Sequence, residues 1–163
     1  MRARQVQWLG PRRIGQQVNP VSVTGTASET NLYTADGPAG LLIPANMLGR
    51  DGDRLRISLW GSFTASTNIR TIRVRLGGVQ MAVMTVATAN AGYVAELSIL
   101  RCGTGQVRSS GGVVGGVGLT TGTTGLYALD LSADQRLTVT GQLTSAGETI
   151  SIDALAIILE PGK

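Results

Sequence analysis

The sequence predicts an all-β domain, built as an antiparallel sandwich or barrel of about eight to ten short strands. Apolar and polar residues alternate with a period of two in most of the chain after residue 20, as is typical of strands with one buried face. Asp-Gly and Gly-Gly pairs separate these runs and indicate turns. No run shows a convincing period of an amphipathic helix.

Five runs show the alternation clearly. Their apolar positions are Leu55, Ile57, Leu59 and Phe63; Ile72, Val74 and Leu76; Tyr93, Ala95, Leu97 and Ile99; Tyr127, Leu129 and Leu131; and Leu137 with Val139. In two further runs the apolar residues change parity, near Ala154 and between Val83 and Met84. Such a change indicates a β-bulge or a strand buried on both faces.

Length and composition limit the possible functions. A chain of 163 residues can bury the core of a single domain without disulfides. It contains no histidine, which excludes Ser-His-Asp and Cys-His catalysis. The single cysteine, Cys102, excludes an internal disulfide and leaves too few ligands for the usual zinc sites. We therefore expect no enzymatic activity and no catalytic, cofactor or metal site.

Three local patterns resemble parts of known binding or catalytic motifs, and each has a simpler structural interpretation. Asp51-Gly52-Asp53 resembles a fragment of a calcium loop but lacks the remaining ligands, so we expect a turn. The glycine-rich segment Gly111–Gly125 lacks the Gly-Lys-Ser/Thr ending of a phosphate loop, so we expect a flexible or irregular loop. Cys102 follows Arg101 without a recognisable base, so we expect a structural thiol.

The positive charge lies at the N-terminus. Residues 1–20 contain four arginines and no acidic residue, whereas residues 21–163 contain ten basic and ten acidic residues. Pro11 and Pro20, together with two glycines, make a helix there unfavourable. We interpret residues 1–20 as an extended basic arm and residues 21–163 as the β-sandwich domain.

The arm is the candidate partner-binding segment, because a tail with a tryptophan and several arginines cannot form its own core. Its candidate residues are Arg2, Arg4, Trp8, Leu9, Arg12, Arg13 and Ile14. They could lie across a protein neighbour, contact nucleic acid, or belong to a terminus without function. We favour a protein partner over nucleic acid because the net charge of residues 21–163 is zero and adds no positive face.

No apolar run approaches the length of a membrane helix, and no apolar segment follows the N-terminal arginines as in a secretory signal. We expect synthesis in the cytoplasm and no membrane partner.

One stretch resembles a known group of proteins. Its motifs run Leu32-Tyr33-Thr34, Leu42-Ile43-Pro44-Ala45-Asn46-Met47-Leu48-Gly49, Gly52-Asp53-Arg54-Leu55-Arg56-Ile57 and Trp60-Gly61, followed by Arg70 to Gly78 and Ala95 to Arg101. In this order they resemble the jelly-roll virion proteins of tailed bacteriophages, a group of head decoration (cement) proteins, head fibres and tail-associated proteins. The resemblance extends loosely over residues 21–160.

The resemblance implies a jelly-roll sandwich and a non-enzymatic structural role in the virion, commonly as a homotrimer. It transfers no functional residue, because the shared motif residues look architectural. We expect a decoration protein that binds as an oligomer to the major capsid protein or another virion protein. Its arm, residues 1–20, would lie across the neighbouring subunits as a strap. The alternative is a fibre, spike or tail component that binds a receptor or glycan.

Overall fold

The computed structural model describes residues 10–87, 89, 92–116 and 123–162. Within them the secondary structure is all strand, without helix. The strands are β1 (Arg12–Gln17), β2 (Val21–Thr24), β3 (Thr30–Asn31), β4 (Leu41–Ile43), β5 (Arg54–Phe63), β6 (Arg70–Leu76), β7 (Val79–Val86), β8 (Gly92–Gly103), β9 (Gln106–Gly116), β10 (Thr123–Ala128), β11 (Gln135–Leu143) and β12 (Thr149–Glu160).

Two antiparallel sheets form a sandwich. The large sheet has the order β1-β12-β5-β8-β9-β10, with β2 also paired to β12. The small sheet has the order β3-β11-β6-β7, with β4 also paired to β11. The chain crosses between the sheets at β2–β3, β4–β5, β5–β6, β7–β8, β10–β11 and β11–β12. The predicted all-β jelly-roll sandwich is confirmed, with more strands than expected because several edge strands are only two to four residues long.

The period-two pattern predicts the core correctly. In β5, Leu55, Ile57, Leu59 and Phe63 are all buried, while their polar neighbours lie on the outer face. The apolar positions of β6, β8 and β11 are buried in the same way and join one hydrophobic cluster between the sheets. Each fully buried aliphatic side chain of this kind contributes about 1.5–3 kcal/mol.

The predicted change of parity near Ala154 is a β-bulge, and β7 also contains a bulge, although not at the predicted position. The pairing of β12 with β5 shifts register between Ile152 and Ala154. The pairing of β6 with β7 shifts between Val74 and Arg75, whose partners are Ala82 and Gln80, so this bulge lies at Met81, upstream of the predicted change between Val83 and Met84. An extra residue in one strand moves the following side chains to the other face, which is the signal that the sequence carries.

The described part of the predicted arm belongs to the large sheet. β1 pairs with the second half of β12, from Arg12 opposite Leu159 to Gln17 opposite Leu155, and β2 pairs with the first half. The buried side chain of Gln17 joins β1 to the segment after β3, donating to the Leu32 carbonyl at 3.0 Å and accepting from the Thr34 amide at 3.0 Å. Residues 12–17 are therefore anchored within their own chain.

Every described residue of the glycine-rich segment lies in a strand, so the loop prediction is wrong for these residues. Gly111–Gly116 continue β9 along β8, and Thr123–Gly125 begin β10. Residues 117–122 lie outside the described residues. A Cβ atom at Gly111 would lie 3.0 Å from Leu97 Cδ1 and 3.2 Å from the Glu96 carbonyl oxygen, so glycine here permits close strand packing.

Gly61 permits a second close approach, between β5 and Tyr93 of β8. A Cβ atom at Gly61 would overlap the Tyr93 ring and the Ser151 carbonyl oxygen. Tyr93 donates its hydroxyl proton to that carbonyl at 2.9 Å and stacks on Phe63 with ring centroids 4.6 Å apart. The glycine of the Trp60-Gly61 motif thus makes room for a buried tyrosine.

We expect Gly61→Ala to destabilise the fold by about 1–3 kcal/mol, because the added methyl group must displace Tyr93. Chemical denaturation measures the difference. Gly92→Ala is the matched control, since the nearest atom to its added methyl group would be the Gly61 carbonyl oxygen at 3.8 Å. Equal stability of the two variants would contradict this account of Gly61.

Candidate functional site

The structure separates the candidate arm residues. Arg2, Arg4, Trp8 and Leu9 lie outside the described residues. Arg12 and Arg13 are exposed on β1, and Ile14 packs partly against the core of its own chain. The Arg13 guanidinium donates to Gln16 Oε1 at 2.7 Å.

The Leu42–Gly49 motif builds a turn between β4 and β5. Asn46 adopts the left-handed region at φ 60°, which asparagine tolerates better than most residues. Its amide donates to the Leu131 carbonyl at 2.8 Å, and the Ala45 amide donates to Asp134 Oδ1 at 2.8 Å. These residues shape the backbone, which agrees with the architectural role that the resemblance implied.

The Asp51-Gly52-Asp53 segment is a turn, as predicted. Asp53 is buried, and its carboxylate accepts from the amides of Arg50 and Gly162, both at 2.7 Å. Gly52 has a φ of 92°, which favours glycine. Among the described residues, no three Asp, Glu or Cys side chains come together as a metal-binding group.

The candidate site lies on the outer face of the large sheet, at the end where β12 finishes. Strand register places side chains there in rows. One row runs Glu160, Arg54, Leu100, Arg108 and Leu126 across β12, β5, β8, β9 and β10. The next row runs Arg13, Ile158, Arg56, Ser98, Ser110 and Thr124. We call the surface formed by Arg13, Arg54, Arg56, Arg108 and Glu160 the arginine end.

Glu160 links two of these arginines. Arg54 Nε donates to Glu160 Oε2 at 2.6 Å, and Arg56 Nε lies 3.1 Å from Glu160 Oε1. One carboxylate therefore contacts two guanidinium groups, and the arginine side chains as a whole are about 44% and 42% exposed. Arg108 has no hydrogen-bond or ion-pair partner among the described residues. Positive charge thus exceeds negative charge at the arginine end.

A shallow depression of about 360 Å³ lies within the arginine end. Its lining residues are Gly52, Arg54, Ser98, Leu100, Ser110, Glu160 and Pro161. Ser98 and Ser110 face each other across β8 and β9, and their small side chains lie lower than the larger ones around them. The depression therefore combines two hydroxyl groups, an ion pair and an apolar contact at Leu100 and Pro161.

The arginines of the small sheet are arranged differently. Glu29 accepts two hydrogen bonds from the Arg75 guanidinium, at 2.7 and 2.9 Å, and lies 3.8 Å from Arg73 Nη1. Thr140 also donates to Glu29 at 2.6 Å. The hydrogen bonds from Arg75 lower the pKa of Glu29 from 4.5 to about 2. These contacts occupy the arginines, so this face is a weaker candidate for binding an anion.

Sequence reasoning missed the arginine end. The net charge of residues 21–163 is zero, and from this we expected no positive face. The fold places Arg54, Arg56 and Arg108 on one face, whereas Asp53 and Glu148 are buried and Asp51 lies in a turn, paired with Arg101. The outward parity of Arg54 and Arg56 was visible in the sequence, but the pairing of β8 with β9 that brings Arg108 beside them was not.

Trp60 and Cys102 lie apart from this site. Trp60 stands on the same outer face, two rows beyond the row of Ser98 and Ser110, and is 41% exposed. Cys102 is half-buried near the end of β8.

Among the described residues, no helix is long and apolar enough to cross a membrane.

No protein-family model and no curated protein matches the chain. Several solved structures share its general shape. The CBM2 module of the evolved Dit from Lactobacillus casei BL23 phage J-1 is 11% identical, with 94% of this chain and 98% of that chain covered and a TM-score of 0.46. A Bauhinia forficata lectin in complex with GalNAc is 10% identical, with 94% and 99% covered and a TM-score of 0.41.

A protein of unknown function from Shewanella oneidensis MR-1 is 9% identical, with 92% of this chain and 75% of that chain covered and a TM-score of 0.42. At these identities and TM-scores the likenesses carry no argument about what this chain binds. The β-sandwich class therefore rests on the sheets themselves.

We expect Glu29→Gln to lower stability by about 1 kcal/mol at pH 7, a value that allows for screening by water. Because the folded pKa of about 2 lies below the ordinary 4.5, the stabilisation is present above pH 4.5 and declines as the pH falls towards 2. Urea unfolding across this range measures it. Glu96→Gln is the control, since Glu96 is exposed and without a described partner. A difference that does not change with pH would contradict the ion-pair account.

Proposed function

We propose that the chain is a non-enzymatic structural protein of a tailed-bacteriophage particle, which seats as a homo-oligomer, in the form of a trimer, on the major capsid protein or another virion protein. Its role there is that of a head decoration (cement) protein. The order of motifs from Leu32 to Gly61 supports the proposal, and so does their architectural use at Asn46, Asp53 and Gly61.

The anchoring of β1 is the observation that carries the docking role. β1 is hydrogen-bonded along β12 at the edge of the large sheet, and Gln17 ties it to the segment after β3. The arm residues that precede β1 in the sequence, among them Arg2, Arg4 and Trp8, are therefore joined to a strand that is fixed at the edge of the sheet. A strap with a fixed base loses less entropy on docking than one attached through a flexible linker.

A second candidate function is that of a fibre, spike or tail module that binds a saccharide. The depression at the arginine end favours it, because it offers two serine hydroxyls beside a charged pair on a rigid sheet. Binding sites of this kind combine a few convergent polar groups with an apolar surface. The two candidates use different parts of the chain, the arm and the outer face.

We expect deletion of residues 1–9 to weaken attachment to particles at least tenfold without changing the thermal unfolding temperature. Particles that lack the protein are mixed with purified full-length or truncated chain, and the bound fraction is measured after sedimentation. Deletion of residues 1–19 is the control for folding, since it removes β1 and lowers the unfolding temperature as well. Undiminished attachment after deletion of residues 1–9 would contradict the strap.

Quantitative mass spectrometry of the intact particle separates the two candidates. A copy number close to that of the major shell protein supports decoration. A few to a few dozen copies support a fibre, spike or tail component. Absence of the chain from the particle would overturn the virion proposal.

A further inference from the structure

We propose that the depression at the arginine end binds an anionic sugar residue, a single ring that carries a carboxylate or sulfate group. The inference rests on the second candidate function and names its ligand class. It follows from the size of the depression, the excess of positive charge around it and its two hydroxyl groups.

The size fits one ring. At about 360 Å³ the depression lies near the lower end of ligand sites in proteins, which span about 300–1,000 Å³. Ser98, Leu100 and Ser110 line it from the paired strands β8 and β9, and Arg54, Glu160 and Pro161 line it from β5 and the end of β12. Because the floor consists of paired strands, it is preformed, and binding requires little ordering.

The polar groups suit a ring with several hydroxyls. Ser98 and Ser110 make no side-chain hydrogen bond among the described residues, so each hydroxyl is free to donate and to accept. Glu160 adds a carboxylate acceptor that Arg54 and Arg56 hold in place. Leu100 and Pro161 offer an apolar surface for the C–H groups of a ring.

The charge favours an anion. Glu160 compensates one of the two guanidinium groups that it contacts, and Arg108, opposite Leu100 in the same row, has no described partner. Asp51, next to the lining residue Gly52, is paired with Arg101, so the charge of the arginines still exceeds that of the acidic groups around the depression. An arginine fork matches the two oxygens of a carboxylate or sulfate, and such hydrogen bonds are stronger than those between neutral groups.

The arrangement favours a sugar over an acidic peptide or nucleic acid. Free hydroxyls lie on the floor between the cations, where a ring can place its own hydroxyl groups. A peptide carboxylate needs only the arginines, and a phosphate backbone needs a row of cations longer than this depression provides. Those polymers serve as the contrasting probes of the test.

The test measures binding of the purified full-length chain by isothermal titration calorimetry. The anionic probes are polygalacturonate and dextran sulfate; the contrasting probes are neutral dextran, polyglutamate and double-stranded DNA. We expect at least one anionic polysaccharide to bind at least tenfold more tightly than neutral dextran, polyglutamate and DNA. Comparing polygalacturonate with dextran sulfate then shows which anionic group the site prefers.

Variants locate the site. We expect Arg108→Gln to weaken binding of the preferred polysaccharide at least fivefold, and Ser110→Val, which fills the floor, to do the same. Arg136→Gln removes an equal charge from the small sheet and is expected to change affinity less than twofold. Thermal unfolding of each variant confirms that it is folded before its affinity is compared.

The outcomes separate this inference from the function on which it rests. Equal binding of dextran and the anionic polysaccharides would overturn the anion preference and leave saccharide binding standing. Binding to none of the polysaccharides would overturn both. Equal binding of polyglutamate or DNA, or equal loss in Arg136→Gln and Arg108→Gln, would mean that charge alone acts, and would overturn the site.

Discussion

The hydrogen-bonded pairing of β12 with its neighbours holds the large sheet and its surface together. β12 pairs with β5 along ten positions and carries β1 and β2 on its other edge. The bulge between Ile152 and Ala154 resets which face the following residues occupy, so that Leu155, Ile157 and Leu159 enter the core. The same reset turns Glu160 outwards, where it pairs with Arg54. The position of the charged pair thus depends on one extra residue in one strand.

The arginines of the two sheets differ in their hydrogen-bond and ion-pair partners, and this difference defines the candidate site. On the small sheet, Arg75 donates two hydrogen bonds to Glu29, and Arg73 lies near Glu29 and donates to Gln142, so the donors of both arginines are engaged within the fold. On the large sheet, Glu160 is shared between Arg54 and Arg56, and Arg108 adds a further charge. An arginine without a carboxylate partner, next to free hydroxyl groups, can use all its donors to bind an anion. An arginine that is already hydrogen-bonded to a carboxylate has fewer donors left for an anion.

The fold class, most of the core, the bulge of β12 and the presence of a bulge in β7 could be predicted, because they follow from a period of two that local sequence records directly. The glycine-rich segment could not. Its composition is typical of a loop, yet pairing with β8 makes Gly111–Gly116 a strand, since tertiary contacts override weak strand propensity. The arm was predicted as extended, and its residues 12–17 are extended, but the sequence does not record that they pair with β12.

By itself, the sequence determined that the chain is an all-β sandwich, that it cannot use a histidine in catalysis or metal binding, and that its N-terminal segment is basic. Only the tertiary structure decided which charges share a face. Arg13, Arg54, Arg108 and Glu160 are brought together by strands far apart in the chain, and their register is set by turns, bulges and close glycine contacts. The net charge of a chain does not record where its charges lie. The positive surface at the arginine end therefore forms only when the strands pair.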